Sequence, residues 1–347
     1  MQTLKQGVCL EFPIADQVPP VARKVRSEAF CPDAPDSTTW RRAQTLGSEA
    51  REMAAYQAEP AQMASGAIGK NGYMRMSFSR RDERTAMIDL EHRTPYMAQR
   101  ALYWDEGLPN MACVYIITTS GGTLQGDRIS LEIDVEADAY AHITTQGMTK
   151  VQTMDTNYAA QAQTFRLSEN AYLEFMPDPI IPFRNSKFIT ETHIVRHPSA
   201  TLIYSEILLP GRRYHRADEY FGFDVFSSCV KGFDPSGQEQ FCEKYILEPE
   251  RTNLRQVGIM GAFDVYANVL FLTPKANADA VHDLLGTGFS VEEGLAWGAS
   301  KLPNDEGLVF KVLGNEVKQV KDKIRDFWII ARKVVTGAEV PPQFLWR

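Results

Sequence analysis

Apolar and polar positions alternate with period 2 from about residue 73 onward, the pattern of strands that bury one face. The clearest run is ISLEIDV, in which Ile129, Leu131, Ile133 and Val135 point one way and Ser130, Glu132 and Asp134 the other. Similar runs cover residues 140–145, 163–167, 171–175, 187–196, 201–209, 220–226 and 263–272, separated by turn sequences such as SEN, PDP, HPSA and PGRR. Strands this closely spaced, without intervening helices, predict a mostly β, mostly antiparallel architecture. Two helices are predicted to close the chain, a short one over residues 275–285 and a long one over residues 316–336. In the long one Val317, Val320, Ile324, Phe327, Ala331 and Val334 recur at steps of three and four on one face. Gly337 supplies its C-terminal cap and Pro341-Pro342 prevents continuation.

Residues 1–65 look different. They hold six of the 19 prolines and no clean alternation, which predicts an irregular arm ahead of a β-rich domain over residues 66–347. One helix is expected within the arm, over residues 38–58, capped by Ser37 and carrying Trp40, Leu46 and Met53 near helical spacing, with Gly47 as its weak point. No internal repeat is visible.

Charge and cysteines narrow the partners. Against 44 Asp and Glu stand 37 Lys and Arg, a net charge of -7, which argues against nucleic acid and against an anionic membrane surface. No apolar run approaches the roughly 20 residues of a membrane span, and the N-terminus lacks a basic stretch followed by an apolar one. The five cysteines are scattered and form no C-x-x-C pair, so neither a disulfide framework nor a zinc site is expected. A cytoplasmic protein fits all of this.

Few segments carry chemistry. SGAIGKNG, residues 65–72, has the wrong glycine spacing for a phosphate loop and Asn71 after its lysine, so it is read as a linker. SGGTLQGDR, residues 120–128, packs Gly121, Gly122 and Gly126 between two strands, and Asp127 either caps that turn or presents a carboxylate beside it. His193 and His197, four apart on a strand, would sit about 13 Å from each other and cannot chelate one ion; His92, His142, His215 and His282 are isolated. No G-x-S-x-G elbow or Ser-His-Asp order appears. Glu206 is the exception: in TLIYSEILL both faces of the strand are apolar, so its carboxylate is expected to be buried. A buried carboxylate needs a cation. Either Arg212 or Arg213 supplies it, or Glu206 belongs to an internal polar channel. Asp178, between two prolines in MPDPIIPF, reads as a turn acid or a ligand.

The order of these motifs says more than any one of them. GGTLQGD (Gly121, Gly122, Gly126, Asp127), TTQGMTKV (Thr145, Lys150), YLEFMPDPIIPF (Asp178) and the Glu206 strand followed by GRRYHRADEYF (Gly211, Arg212, Glu219) together resemble the urease accessory protein family UreD, also named UreH. The likeness extends through a late glycine-rich turn, GLVFKVLG, and the end PPQFLWR. It implies a β-rich stack of strands, helical or layered, with two α-helices. It also implies a non-catalytic scaffold that acts with UreF and the GTPase UreG on apo-urease, binding no permanent cofactor. Ni²⁺ would be transient cargo in a water-filled internal passage, for which Glu206, Asp178 and Asp127 are the candidate ligands.

The chain departs from the family at several places. Thr118-Thr119-Ser120 replaces a string that often contains His, Tyr204 stands where Trp is usual, and Asp218 replaces a Gly. Two other functions stay open: a β-rich hydrolase or lyase drawing an acid and a base from Asp127, Asp178, Glu206 and Glu219, and a paralogue serving another metalloenzyme.

Overall fold

The computed structural model describes residues 35–58 and 69–342, with the backbone alone of residues 25–26. Cys9, Cys31, most of the arm and the last five residues lie outside the described residues.

Along the chain the strands are β1 (Val25–Arg26), β2 (Asn71–Arg81), β3 (Arg84–Arg93), β4 (Tyr96–Ala98), β5 (Ala112–Thr118), β6 (Arg128–Val135), β7 (Tyr140–Thr145), β8 (Thr149–Val151), β9 (Ala159–Leu167) and β10 (Tyr172–Phe175). They continue with β11 (Ile180–Pro182), β12 (Lys187–Arg196), β13 (Thr201–Leu208), β14 (Val225–Phe233), β15 (Glu239–Leu247), β16 (Val265–Leu272), β17 (Gly288–Ser290), β18 (Leu295–Lys301) and β19 (Gly307–Gly314). The helices are α1 (Thr38–Thr45), α2 (Lys275–Leu284) and α3 (Val317–Thr336).

Two sheets face each other, one ordered β1-β3-β2-β6-β9-β12-β14-β15 and the other β17-β18-β19-β16-β13-β10-β7-β5-β4. The chain alternates between them. β6, β9 and β12 add to the first sheet, while β7, β10 and β13 add to the second; β8 and β11 pair with each other on a narrow third side. Each circuit is a coil of about 30 residues: Tyr172 faces Tyr140, 32 positions earlier, and Thr201, 29 positions later. The stack is therefore helical, as the family likeness implies, but its middle is parallel, in β2·β6·β9·β12·β14 and in β5·β7·β10·β13. Antiparallel pairing is confined to the flanks, such as β2·β3, β14·β15 and β13·β16·β19·β18·β17. This corrects the antiparallel expectation. Short connections that cross to the opposite sheet bring the chain back one full coil later, running the same way, with no crossover helix. The same geometry is a structural repeat that the sequence conceals, because each coil asks only for apolar residues facing inward.

Those inward residues stack. Ala141, Leu173 and Leu202, then Ile143, Phe175 and Tyr204, form ladders in the second sheet opposite Ile133, Phe165 and Ile194 of the first. The rings of Phe165 and Phe175 meet across the interior with centroids 4.8 Å apart. Each buried Leu, Ile or Phe among them contributes about 1.5–3 kcal/mol.

α2 and α3 cover the outer face of the second sheet, where Phe327 stacks on Phe310 at 4.8 Å and meets Phe271 edge-on at 5.8 Å. The expected stripe is buried at Val320, Ile324, Phe327 and Ala331, and Gly337 ends α3 in the left-handed region, φ 73°. Both expected helices occur, yet only α3 closes the chain, since the meander β17–β18–β19 separates it from α2. GLVFKVLG is strand β19 throughout, and not a turn, because it pairs on both edges. The strand expected over residues 220–226 is instead a loop that follows a short 3-10 turn, Ala217–Glu219, and enters β14 only at Val225.

The helix expected over residues 38–58 is α1 alone, followed by a 3-10 turn, Arg51–Met53. Gly47 ends it for a packing reason: a Cβ there would lie 1.9 Å from the Tyr158 ring. The described part of the arm is docked on the first sheet, with Thr39 hydrogen-bonded to Thr164 at 2.7 Å, Arg42 to Glu191 at 2.6 Å, and Ser37 donating to Glu132.

Candidate functional site

The inside of the stack changes character along the strands. Beyond the ladders of Ile133 and Ile143, the inward positions become Gln163 and Thr192, then Gln161, Thr190 and Ser228 on the first sheet, and Thr145 and Glu206 on the second. Most of these polar positions, together with Ile129, Leu131, Phe175, Pro177 and Ile180, line a cavity of about 70 Å³. That is room for about two water molecules.

Glu206 lines this cavity at 6% exposure. Its carboxylate is held from the opposite sheet by a cross-strand pair: Ser228 Oγ donates to Oε2 at 3.3 Å, and the Tyr245 hydroxyl donates to Oε1. Neither expected arginine reaches it. Arg212 pairs with Glu219, and Arg213 with Asp264 and Glu316. Among the described residues no Lys or Arg forms an ion pair with Glu206. Burial therefore pushes its pKa up, and the two hydroxyls only partly offset the rise.

Asp178 lies where β10 leads into β11 and lines the same cavity. Its N–H donates to Thr145 Oγ1 at 2.9 Å, and its Oδ1 accepts from Lys321 Nζ, on α3, at 2.9 Å.

Asp127 has a different setting. Its Oδ1 accepts the Lys70 N–H at 2.7 Å and its Oδ2 the Leu124 N–H at 2.8 Å, so both oxygens are used in tying its turn to the start of β2. Burial raises its pKa against those two bonds. The cavity is lined by Thr123 of this motif and not by Asp127.

The other motif residues build the third side of the stack. Thr123 bridges to Val151, Lys150 to Ile181 and Ile180 to Leu208, so the motifs lie on one another as successive rungs. Gly122, at φ 133°, is required there, since a Cβ would sit 2.4 Å from the Lys150 carbonyl oxygen. Gly121 O accepts from Gln152 Nε2 at 2.7 Å, and the Gly126 N–H donates to Tyr158 O at 3.1 Å. The Lys150 side chain is exposed. Gly211, at φ 105°, lies under the Glu219 carbonyl, and Arg212 joins Glu219 at 3.1 Å while stacking 3.8 Å from the Phe183 ring. That pairing, with burial opposing, lowers the Glu219 pKa. Where the family often has His, Thr119 Oγ1 donates to Pro95 O at 3.1 Å and Ser120 Oγ to Gly122 O at 2.8 Å, both serving the turn.

A charged cluster that the sequence did not disclose lies on the outer face of the second sheet. Arg332 of α3 donates to both oxygens of Glu174 and, at 2.6 Å, to Asp105; His142 Nδ1 donates to Glu174 at 2.7 Å. All four are fully or almost fully buried. Burial drives the Glu174 pKa up, but Arg332 and His142 outweigh it and hold the carboxyl below its usual range; burial lowers the His142 pKa against the opposing pull of Glu174. The one available signal was Glu174 alternating with Leu173 and Phe175 in a strand too apolar to leave it in water. Two cysteines on the neighbouring strands β14 and β15 also meet, Cys229 and Cys242, with sulfurs 3.8 Å apart.

Such a molecule is a coiled stack of β-strands around an internal cavity of mixed lining, in which the Glu206 carboxylate has no Lys or Arg partner among the described residues. Residues 70–347 match the family described as UreD urease accessory protein. Among curated relatives, the urease accessory protein UreD of Yersinia pseudotuberculosis serotype O:1b (strain IP 31758) is 53% identical over 306 residues, covering 88% of this chain and 95% of its own. UreD of Photorhabdus laumondii subsp. laumondii is 50% identical over 307 residues, covering 88% and 96%. UreD 2 of Brucella suis biovar 1 is 50% identical over 298 residues, covering 86% and 99%. The chain belongs to the UreD urease accessory protein family.

Proposed function

We propose that this chain is a urease maturation scaffold that binds apo-urease together with UreF and the GTPase UreG, and that Ni²⁺ crosses its interior on the way to urease. Family membership supports the role in maturation. The observation that carries the passage is Glu206, a carboxylate lining an internal cavity with no basic partner among the described residues. Oxygen donors and neighbouring hydroxyls suit a cation that keeps most of its water. Among the described residues no three or more His, Cys, Asp and Glu side chains form a metal-holding group, which favours transit over storage. Asp178 is the second candidate station. Asp127 serves its turn and contributes at most to the wall that Thr123 presents.

A two-carboxylate hydrolase or lyase has less support, because Asp127 and Glu219 are already occupied by backbone N–H groups and by Arg212. Glu206→Gln tests the proposal: the passage requires less nickel per assembled urease complex from a folded, partner-competent variant. GTP turnover belongs to UreG, so the purified chain should hydrolyse none.

A further inference from the structure

The inner wall of the second sheet is breached. β10 pairs with β13 as far as Phe175↔Tyr204, and pairing resumes only at Ile180↔Leu208. Residues 176–179 thus run beside residues 205–207 with one residue to spare and bow away from them. The sequence dictates this: Pro177 and Pro179 have no N–H to give a ladder. The single N–H between them, on Asp178, goes to Thr145 Oγ1. The Met176 carbonyl is likewise turned toward β7, accepting from Thr144 Oγ1 at 2.7 Å.

Two cavities flank this break in the pairing. On the inside is the Glu206 chamber; on the outside, beneath α3, is a pocket of about 90 Å³. Pro177, Asp178, Ser205 and Ile207 line both. Lys321 reaches in from the outer pocket to Asp178, and the two side chains are 38% and 11% exposed. The acid is sheltered and the ammonium stands at the edge of solvent. A compact charge on a flexible stem can leave such a position easily, because a partly exposed ion pair contributes little to stability.

We propose that the breach is a port between the chamber and the outer pocket, and that Lys321 is its stopper. With no divalent cation present, the ammonium occupies Asp178; a hydrated divalent cation, carrying twice the charge, displaces it into solvent and passes. The inference rests on the interior passage proposed above and adds the place where that passage opens and the group that closes it. Competition with a tethered ammonium raises the free-nickel level at which loading begins.

The test is nickel loading and urease activity of the apo-urease complex assembled with the full chain, over graded buffered free Ni²⁺. Lys321→Gln should shift half-activation to several-fold lower Ni²⁺ with an unchanged maximum, Lys321→Arg should follow wild type, and Asp178→Asn should load less at every concentration. Lys321→Met, which keeps the stem, substitutes if the Gln variant lowers the yield of complex. Superimposable curves for wild type, Lys321→Gln and Lys321→Met would overturn the stopper. If Glu206→Gln reduces loading while Asp178→Asn and the Lys321 variants follow wild type, the passage stands and the port is elsewhere. If Glu206→Gln also follows wild type, both fall.

Discussion

Arg332 on α3 and Glu174 on β10 are joined by two parallel hydrogen bonds, Nε to Oε1 at 2.8 Å and Nη2 to Oε2 at 2.7 Å, with neither side chain exposed. The pair fastens the last helix to the middle coil of the stack. Removing one partner strands the other charge, so Arg332→Met should destabilise the chain by about 3–5 kcal/mol. Glu174→Gln with Arg332→Met together should recover part of the loss. Chemical denaturation of the wild type and the two variants measures it.

The same pair gives a pH dependence of defined sign. The folded Glu174 pKa lies below that of the unfolded chain, near 4.3. Its contribution is therefore complete above that value and is lost as pH falls through the folded pKa. Between pH 5 and pH 3 the wild type should lose stability more steeply than the double variant. Equal slopes would mean that Glu174 does not titrate in this way.

Glu206 has the opposite sign. Its folded pKa is raised, so the native state holds the proton more tightly and stability falls as pH rises from about 4.3 through the folded value. Glu206→Gln removes that penalty and should be as stable as wild type or more so near neutral pH, with the advantage shrinking in acid. A melting-temperature series across pH reads this directly.

Phe327 lies between Phe271 and Phe310 in the layer beneath α3. Phe327→Ala should cost about 3–5 kcal/mol. Phe327→Asp should prevent stable folding and should not act as a selective partner-binding variant. Wild-type unfolding by either would place the α3 stripe at an interface rather than in the core.

Two glycines in one motif should behave differently. Gly122→Ala places a Cβ against the Lys150 carbonyl at a positive φ, whereas Gly121→Ala meets nothing within 4 Å. The first should cost more than about 1 kcal/mol and the second little. Matched unfolding curves for the pair provide the comparison.

Local pattern disclosed the central strands and the odd carboxylate, because alternation and burial are written in neighbouring residues, but it named no strand for β2, β3, β5 or β15. β7 and β12 have the predicted bounds, α3 begins one residue later than expected, and Glu206 is buried as two apolar faces require. Pairing was not legible. Alternation is the same in parallel and antiparallel strands, and a coil of 29 to 32 positions leaves no sequence repeat when only inward apolarity is conserved in space. The partners of the site were equally hidden. Glu206 is held by Ser228 and Tyr245, 22 and 39 positions away, instead of the nearby Arg212, and Asp178 by Lys321, 143 positions away. Arg212 was drawn instead to Glu219, whose loop Gly211 turns back toward it.

The central claim is that the Glu206 carboxylate carries nickel and does not merely hold the stack together. The direct measurement is Ni²⁺ bound and urease activity per assembled complex for Glu206→Gln, with the melting temperature of the same preparation recorded. The amide keeps the shape, its oxygen accepting from one of the two hydroxyls and its NH2 donating to the other, so a complex of unchanged yield and stability with clearly reduced nickel and activity is the predicted result. Wild-type nickel and activity per complex would contradict it, as would a loss fully accounted for by unfolded protein.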